Sequence, residues 1–215
     1  ELIFVTSKSE IATYAERLSL PQERFRFLPF HTDIINPERI AAHGSYIFSA
    51  GKTGRDFDTM LRAVKDLAAK VVIVSDQYHA QGLDVSPNVS LMVDIPYEDY
   101  LRLLRECHFV VVPLYSLVKS TGQVVILEAM GLGKPVIATE TVGTVDYIQH
   151  GVNGLMVPVG DAEALRAAIE GLLEDKQLYD RLADNGLDAV FRHHTFDAYV
   201  KTILRETKML QSHAG

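Results

Sequence analysis

Glu128 stands in an otherwise almost wholly apolar run, Val124-Val125-Ile126-Leu127-Glu128-Ala129-Met130, six residues after Gly122. A carboxylate in such surroundings must be satisfied by something, because burying it bare is costly. Spacing alone leaves two answers open: it caps a neighbouring loop or pairs with a cation, or it receives hydroxyl donors from a ligand. The loop before it favours the ligand. Leu114-Tyr115-Ser116-Leu117-Val118-Lys119-Ser120-Thr121-Gly122 leads straight into the apolar run. Small residues at 120–122 let a ligand approach the backbone, and unpaired N–H groups at a helix start attract anions. In a helix starting at 123 the Glu128 Cα lies about 7–9 Å from that start, at ~1.5 Å per residue. That is about the step from a diphosphate to the ribose of the same nucleotide. A carboxylate only accepts, and a ribose offers two adjacent hydroxyl donors.

A second loop, Ser49-Ala50-Gly51-Lys52-Thr53-Gly54-Arg55-Asp56, combines two glycines with two cations. Lys52 and Arg55 can face the same diphosphate from there, although a solvated turn has the same composition. The Gly-Lys-Thr triplet is not a Walker A loop, because Tyr46 stands where that pattern needs its first glycine. A third loop, Glu140-Thr141-Val142-Gly143-Thr144-Val145, places Gly143 at another expected helix start. The eight histidines show no ligand-like pairing along a helix, so no metal site is expected. Cys107, beside an apolar run, is expected to be an inert buried thiol.

Alternation of apolar runs and amphipathic stretches positions these loops. Strands are expected at 2–6, 24–28, 45–50, 70–75, 89–93, 108–113, 135–138 and 154–157. Helices are expected at 9–18, 56–68, 97–106, 123–132, 143–149 and 161–174, with an apolar stripe from Phe196 to Leu204 in the tail. Continuous runs such as 71–74 and 109–112 fit strands covered on both faces, hence a parallel α/β sheet. Ligands then bind beyond the carboxyl ends of the strands, where all three loops fall. Residues 1–40 read as connecting structure, 41–192 as the sheet domain, and 193–215 as a final helix needing a surface to pack on.

The 215 residues suit one large α/β core, and a net charge of −7 without a basic block argues against nucleic acid. No apolar run approaches the ~20 residues that span a bilayer. One cysteine fits a reducing, cytoplasmic setting, with peripheral membrane contact left open for a longer protein. The chain opens with Glu1 inside an apolar run, which reads as part of something longer.

Ser120-Thr121-Gly122-Gln123 through Leu127-Glu128-Ala129-Met130, then Gly133-Lys134-Pro135-Val136-Ile137-Ala138-Thr139, resembles the signature of group 1 glycosyltransferases, the GT4-like enzymes of GT-B fold. The likeness continues through Gly143 and Asp146 to Gly151-Val152-Asn153-Gly154-Leu155 and Val157-Pro158-Val159-Gly160-Asp161. Residues 49–61 are similar to the family's glycine and Arg/Lys loop, and the stretch from Val5-Thr6-Ser7 to Asp33 to its inter-domain crossing. The resemblance implies a Rossmann-like donor domain, one half of a GT-B enzyme. It implies Glu128 on the ribose hydroxyls and Lys52, Arg55 and Gly51 at the diphosphate. It also implies Ser120, Thr121, Gly122, Gln123 and Val124 facing phosphate and sugar, and Asp94 and Ile95 bordering the base. Transfer would be retaining and would need neither metal nor cofactor, with the acceptor held by an N-terminal domain; this chain alone would bind nucleotide weakly and transfer nothing. One departure stands out: Ser120 occupies the place of the family's first glutamate, which meets the transferred sugar. That leaves the sugar and the stereochemical course open, with a GT-B-like epimerase, a phosphorylase or a non-catalytic nucleotide-binding module as alternatives.

Overall fold

A computed structural model describes residues 2–40 and 45–212; the expected boundary at 41 lies outside them. The chain opens with a βαβ unit, β1 (Ile3–Val5), α1 (Ser9–Leu18) and β2 (Phe25–Phe27), whose two strands pair in parallel. Val5, Ala15 and Phe25 form its small core. The segment expected to be connecting structure is therefore folded structure in its own right.

Six further strands make the main sheet: β3 (Tyr46–Ala50), β4 (Lys70–Ser75), β5 (Val89–Val93), β6 (Phe109–Val112), β7 (Val136–Thr139) and β8 (Leu155–Val157). Their order is β5-β4-β3-β6-β7-β8 and every pairing is parallel. The chain works outward from β3 to β5, then crosses to β6 and works outward the other way. This is the doubly wound order, with its switch point between β3 and β6.

The apolar runs feed two cores by turns. Phe48, Val110, Val112, Val136 and Ala138 face one side. Ile47, Phe109, Val111 and Ile137 face the other. A strand buried on both faces cannot afford a polar alternate, which is why these runs read as continuous. On the first face pack α4 (Tyr97–Glu106), α5 (Gln123–Gly131) and α7 (Lys176–His193). On the second pack α2 (Phe57–Val64) and α6 (Ala162–Glu174). A short α3 (Gln77–Ala80) follows β4. Aspartate caps fix several starts: the Asp56, Asp161 and Asp175 carboxylates accept from the N–H groups of Thr59, Ala164 and Leu178.

Three expectations need correction. The helix expected at 56–68 ends at Val64, because Lys65 leaves helical geometry and Asp66 takes φ +61°. No helix forms over 143–149, where the chain makes successive turns. There Tyr147 is pulled toward the opening segment, donating to the Thr6 carbonyl at 2.7 Å and accepting from Phe30 N–H at 3.1 Å. Helix α7 was not anticipated. Its buried stripe, Leu182, Ala183, Gly186 and Val190, is too small and mixed to read as an amphipathic helix. Gly186 lets α7 pack closely on α5: a Cβ there would lie 3.2 Å from the Met130 side chain. The final helix, α8 (Phe196–Ser212), returns to the opening segment, where Phe196 and Tyr199 pack on His31 and Glu206 pairs with Arg26 at 3.5 Å.

Candidate functional site

The loops after β3 and β6 meet at the switch point. Arg55 and Leu114 form a β-bridge, Asp56 N–H donates to the Pro113 carbonyl at 3.1 Å, and Tyr115 N–H donates to Gly54 at 3.0 Å. A cavity of about 210 Å³ opens beside them, lined by Thr53, Arg55, Thr121, Gly122, Gln123 and Val124. Arg55 and the start of α5, expected to share one ligand, are thus brought together.

The Arg55 side chain is 9% exposed and folds back under its own loop. Its Nε donates to the Ala50 carbonyl at 2.8 Å and one terminal nitrogen to Thr53 at 3.1 Å. Among the described residues no carboxylate lies within ion-pair distance of it. Burial lowers its pKa to about 10, so the guanidinium stays charged at neutral pH. Gly51 makes this fold-back possible. It takes φ +133°, and a Cβ there would lie 2.3 Å from the guanidinium. Lys52 is exposed on the same loop and, among the described residues, makes no ion pair.

Helix α5 starts at Gly122, which takes φ +95° and provides no side-chain cap. The first N–H groups of the helix are therefore left to other partners. Gln123 is 7% exposed and its Nε2 has no hydrogen-bond partner among the described residues. A buried donor, an uncapped helix start and an unpaired buried cation converge here. All three favour negative charge.

Ser120 is held by a residue that no local pattern connects with it. The Glu10 carboxylate accepts from the Ser120 N–H at 2.8 Å and its hydroxyl at 2.9 Å, and from Ser7 N–H at 3.0 Å. Thr6 Oγ1 lies 2.7 Å from Ser120 Oγ. Gly143 presses on the same loop from the other side: a Cβ there would lie 2.4 Å from the Thr121 carbonyl oxygen and 2.5 Å from its nitrogen.

Glu128 differs from the open carboxylate that contact with a ribose would need. It is 1% exposed, and both oxygens are engaged: Oε1 accepts from Tyr97 at 2.9 Å and Oε2 from Tyr100. Burial raises its pKa, partly opposed by those two hydrogen bonds. Of the alternatives spacing left open, the first is not found as stated: among the described residues the partners are tyrosine hydroxyls of α4, not a cation or loop backbone. A tyrosine pair at i, i+3 was the available signal, but it reads equally well as part of an apolar stripe. Asp94 takes φ +51° and accepts from Gln77 N–H at 3.3 Å, while Ile95 packs against the core.

Cys107 is fully buried and its pKa is raised by burial to about 12, an unreactive thiol. Among the described residues no helix is long and apolar enough to cross a membrane.

With this arrangement in view, comparison with known proteins defines the class. The family model for glycosyl transferases group 1 matches residues 45–175, and the chain belongs to that family. It is 39% identical over 83 residues to the lipopolysaccharide core biosynthesis glycosyltransferase LpsE of Rhizobium meliloti, covering 37% of this chain and 24% of that protein. It is 27% identical over 162 residues to the uncharacterized glycosyltransferase MJ1178 of Methanocaldococcus jannaschii, covering 71% and 45%. Among solved structures, Anabaena HepE in complex with UDP and glucose superposes with a TM-score of 0.81 at 18% identity, over 96% of this chain and 62% of that one. The fold is thus one Rossmann-like half of a GT-B glycosyltransferase. The chain spans less than half the length of either curated relative.

Proposed function

We propose that this chain is the donor-holding half of a two-domain glycosyltransferase and grips a nucleoside-diphosphate sugar at the β3–β6 switch point. The observation that carries the reading is Arg55, a buried guanidinium without a counter-charge among the described residues, beside the uncapped start of α5. Such a cation is costly unless an anion completes it, and a diphosphate supplies two charges at the right place. In this reading the Thr121–Val124 backbone and Gln123 meet the phosphates, Lys52 closes over them from the exposed loop, and Ser120 lies toward the sugar. The Asp94–Ile95 loop borders the base, and Glu128 takes the ribose hydroxyls once a tyrosine yields.

Arg55, Lys52 and the helix dipole then stabilise the charge on the departing diphosphate, so the transfer needs no metal. The acceptor sits on a second domain, against which the opening βαβ unit and α8 brace. Without a closed cleft this chain alone transfers nothing. HepE was solved with UDP and glucose, which makes uracil the first base to try.

Calorimetric titration with UDP, GDP, ADP and their sugar conjugates tests the proposal. One base series should bind the wild-type chain, and Arg55→Ala should weaken it by about 10- to 100-fold, the worth of charge-assisted hydrogen bonds. Equal binding by both proteins, or no binding by any of these ligands, would defeat it.

A further inference from the structure

The two tyrosines that hold Glu128 are not equivalent. The Tyr100 ring packs 5.8 Å from Phe48 and belongs to the core on that face of the sheet. Tyr97 is the first residue of α4, directly after Pro96, and is 55% exposed. Its ring stacks on the outside of Tyr100 at 5.7 Å. Rotation about its side-chain torsions carries its hydroxyl into water without opening a cavity, whereas moving Tyr100 would break the core. Only one of the two hydroxyls can leave cheaply.

We infer that Tyr97 is a displaceable stand-in for a nucleoside hydroxyl: it satisfies Glu128 Oε1 in the free protein and must swing away before a ribose can bind. The inference rests on the nucleotide reading of Glu128 given above. A buried carboxylate left bare would be strongly destabilising, so the free site needs a temporary donor. Tyr97 supplies an O–H donor at 2.9 Å, the same kind of donor that a ribose presents. Tyr100 keeps Oε2 engaged throughout and holds the carboxylate in position. Ligand affinity is then reduced by the fraction of molecules in which Tyr97 occupies the oxygen.

Removing that hydroxyl should therefore tighten binding. Calorimetry with UDP as the probe compares wild type, Tyr97→Phe and Glu128→Gln, with pyrophosphate as a ligand that has no ribose. Tyr97→Phe should bind UDP about tenfold more tightly, roughly what one net hydrogen bond to a charged group contributes, and pyrophosphate unchanged. Glu128→Gln should bind UDP more weakly. If Glu128→Gln weakens UDP but Tyr97→Phe leaves it unchanged or weaker, Tyr97 is not displaced and the inference falls while the nucleotide reading stands. If Glu128→Gln binds UDP like wild type, Glu128 does not take the ribose and this inference falls while the diphosphate reading of Arg55 stands; if none of UDP, GDP and ADP binds, the nucleotide reading fails and this inference with it. Tyr97→Leu, which removes the ring as well, should also tighten UDP, and its failure to do so while remaining folded would count against displacement. A thermal melt of each ligand-free variant confirms that a folded protein was titrated.

Discussion

The Glu10 carboxylate on α1 accepts both the backbone N–H and the hydroxyl of Ser120, 110 residues further along the chain. One side chain therefore ties the opening βαβ unit to the loop that begins α5. A second carboxylate makes a parallel tie, since Asp146 accepts from Ser7 Oγ at 2.9 Å and Lys8 N–H at 2.8 Å. The position of the anion cradle thus depends on a part of the chain outside the main sheet.

Glu10→Ala leaves the Ser120 and Ser7 N–H groups without their acceptor. Glu10 is only 4% exposed, so the loss should be about 1–3 kcal/mol of stability, the usual cost of unsatisfied buried donors. Urea denaturation at neutral pH reads it as a lower midpoint. Glu10→Gln keeps an acceptor oxygen and should recover part of the loss. An unchanged midpoint in Glu10→Ala would show that the tie carries no weight.

Gly143→Ala tests the other wall of the same loop. The added methyl meets Thr121 backbone, which cannot rotate aside as a side chain can. Displacement of residues 120–122 should cost about 1–3 kcal/mol, typical of overpacking, and should weaken UDP binding in calorimetry. A variant as stable as wild type, with wild-type affinity, would mean that the loop moves freely.

Pyrophosphate offers a ligand-linkage test of Arg55 that does not depend on ribose or sugar. Because only the folded chain presents the cradle, about 100 Kd of pyrophosphate should stabilise wild type by roughly 2.7 kcal/mol. Arg55→Met should show almost none of this shift. Ligand-free Arg55→Met should remain close to wild type in stability, since an unpaired buried charge has been replaced by an apolar chain of similar length. A pyrophosphate shift that survives in Arg55→Met would place the anion elsewhere.

Legibility in the sequence followed burial. The central strands β3, β4, β6 and β7 could be read because strands covered on both faces leave continuous apolar runs, and Glu128 could be read because a carboxylate stands out in such a run. What the sequence did not show are features made by distant partners or by small residues. Helix α7 is hidden by Asp184, Asn185 and Gly186 at its middle. The turns at 143–149 follow from Tyr147 being bound to Thr6 and Phe30. Glu10 and Tyr97 acquire their roles only when chain segments far apart in sequence come together, and no local pattern announces that. Arg55 was located by its loop, but its burial and lack of a counter-ion needed coordinates.

Stability should also depend on pH through a histidine. His194 is buried with its Nδ1 2.9 Å from the Phe30 carbonyl, and burial lowers its pKa below the usual 6.5. The folded state therefore binds fewer protons there than the unfolded state. That contribution is fully present above about pH 6.5 and is lost as pH falls through the lower folded value. Glu128, whose pKa is raised, acts in the opposite sense: its contribution is present at low pH and lost as pH rises through the folded value. The readout is accordingly a difference. Between pH 7.5 and 5.5 the urea midpoint of wild type should fall more than that of His194→Gln. Parallel falls in the two proteins would remove His194 as the cause.

The hydrogen bond between His194 and Phe30 spans 164 residues of chain, and the one between Glu10 and Ser120 spans 110. Closing loops of that length is entropically slow, whereas the neighbouring strands of the main sheet can pair early. The βαβ unit should therefore dock last during folding, onto a sheet already formed. Stopped-flow refolding would then show the ability to bind nucleotide returning after the far-ultraviolet signal, because the loop at Ser120 gains its Glu10 partner when the opening unit docks.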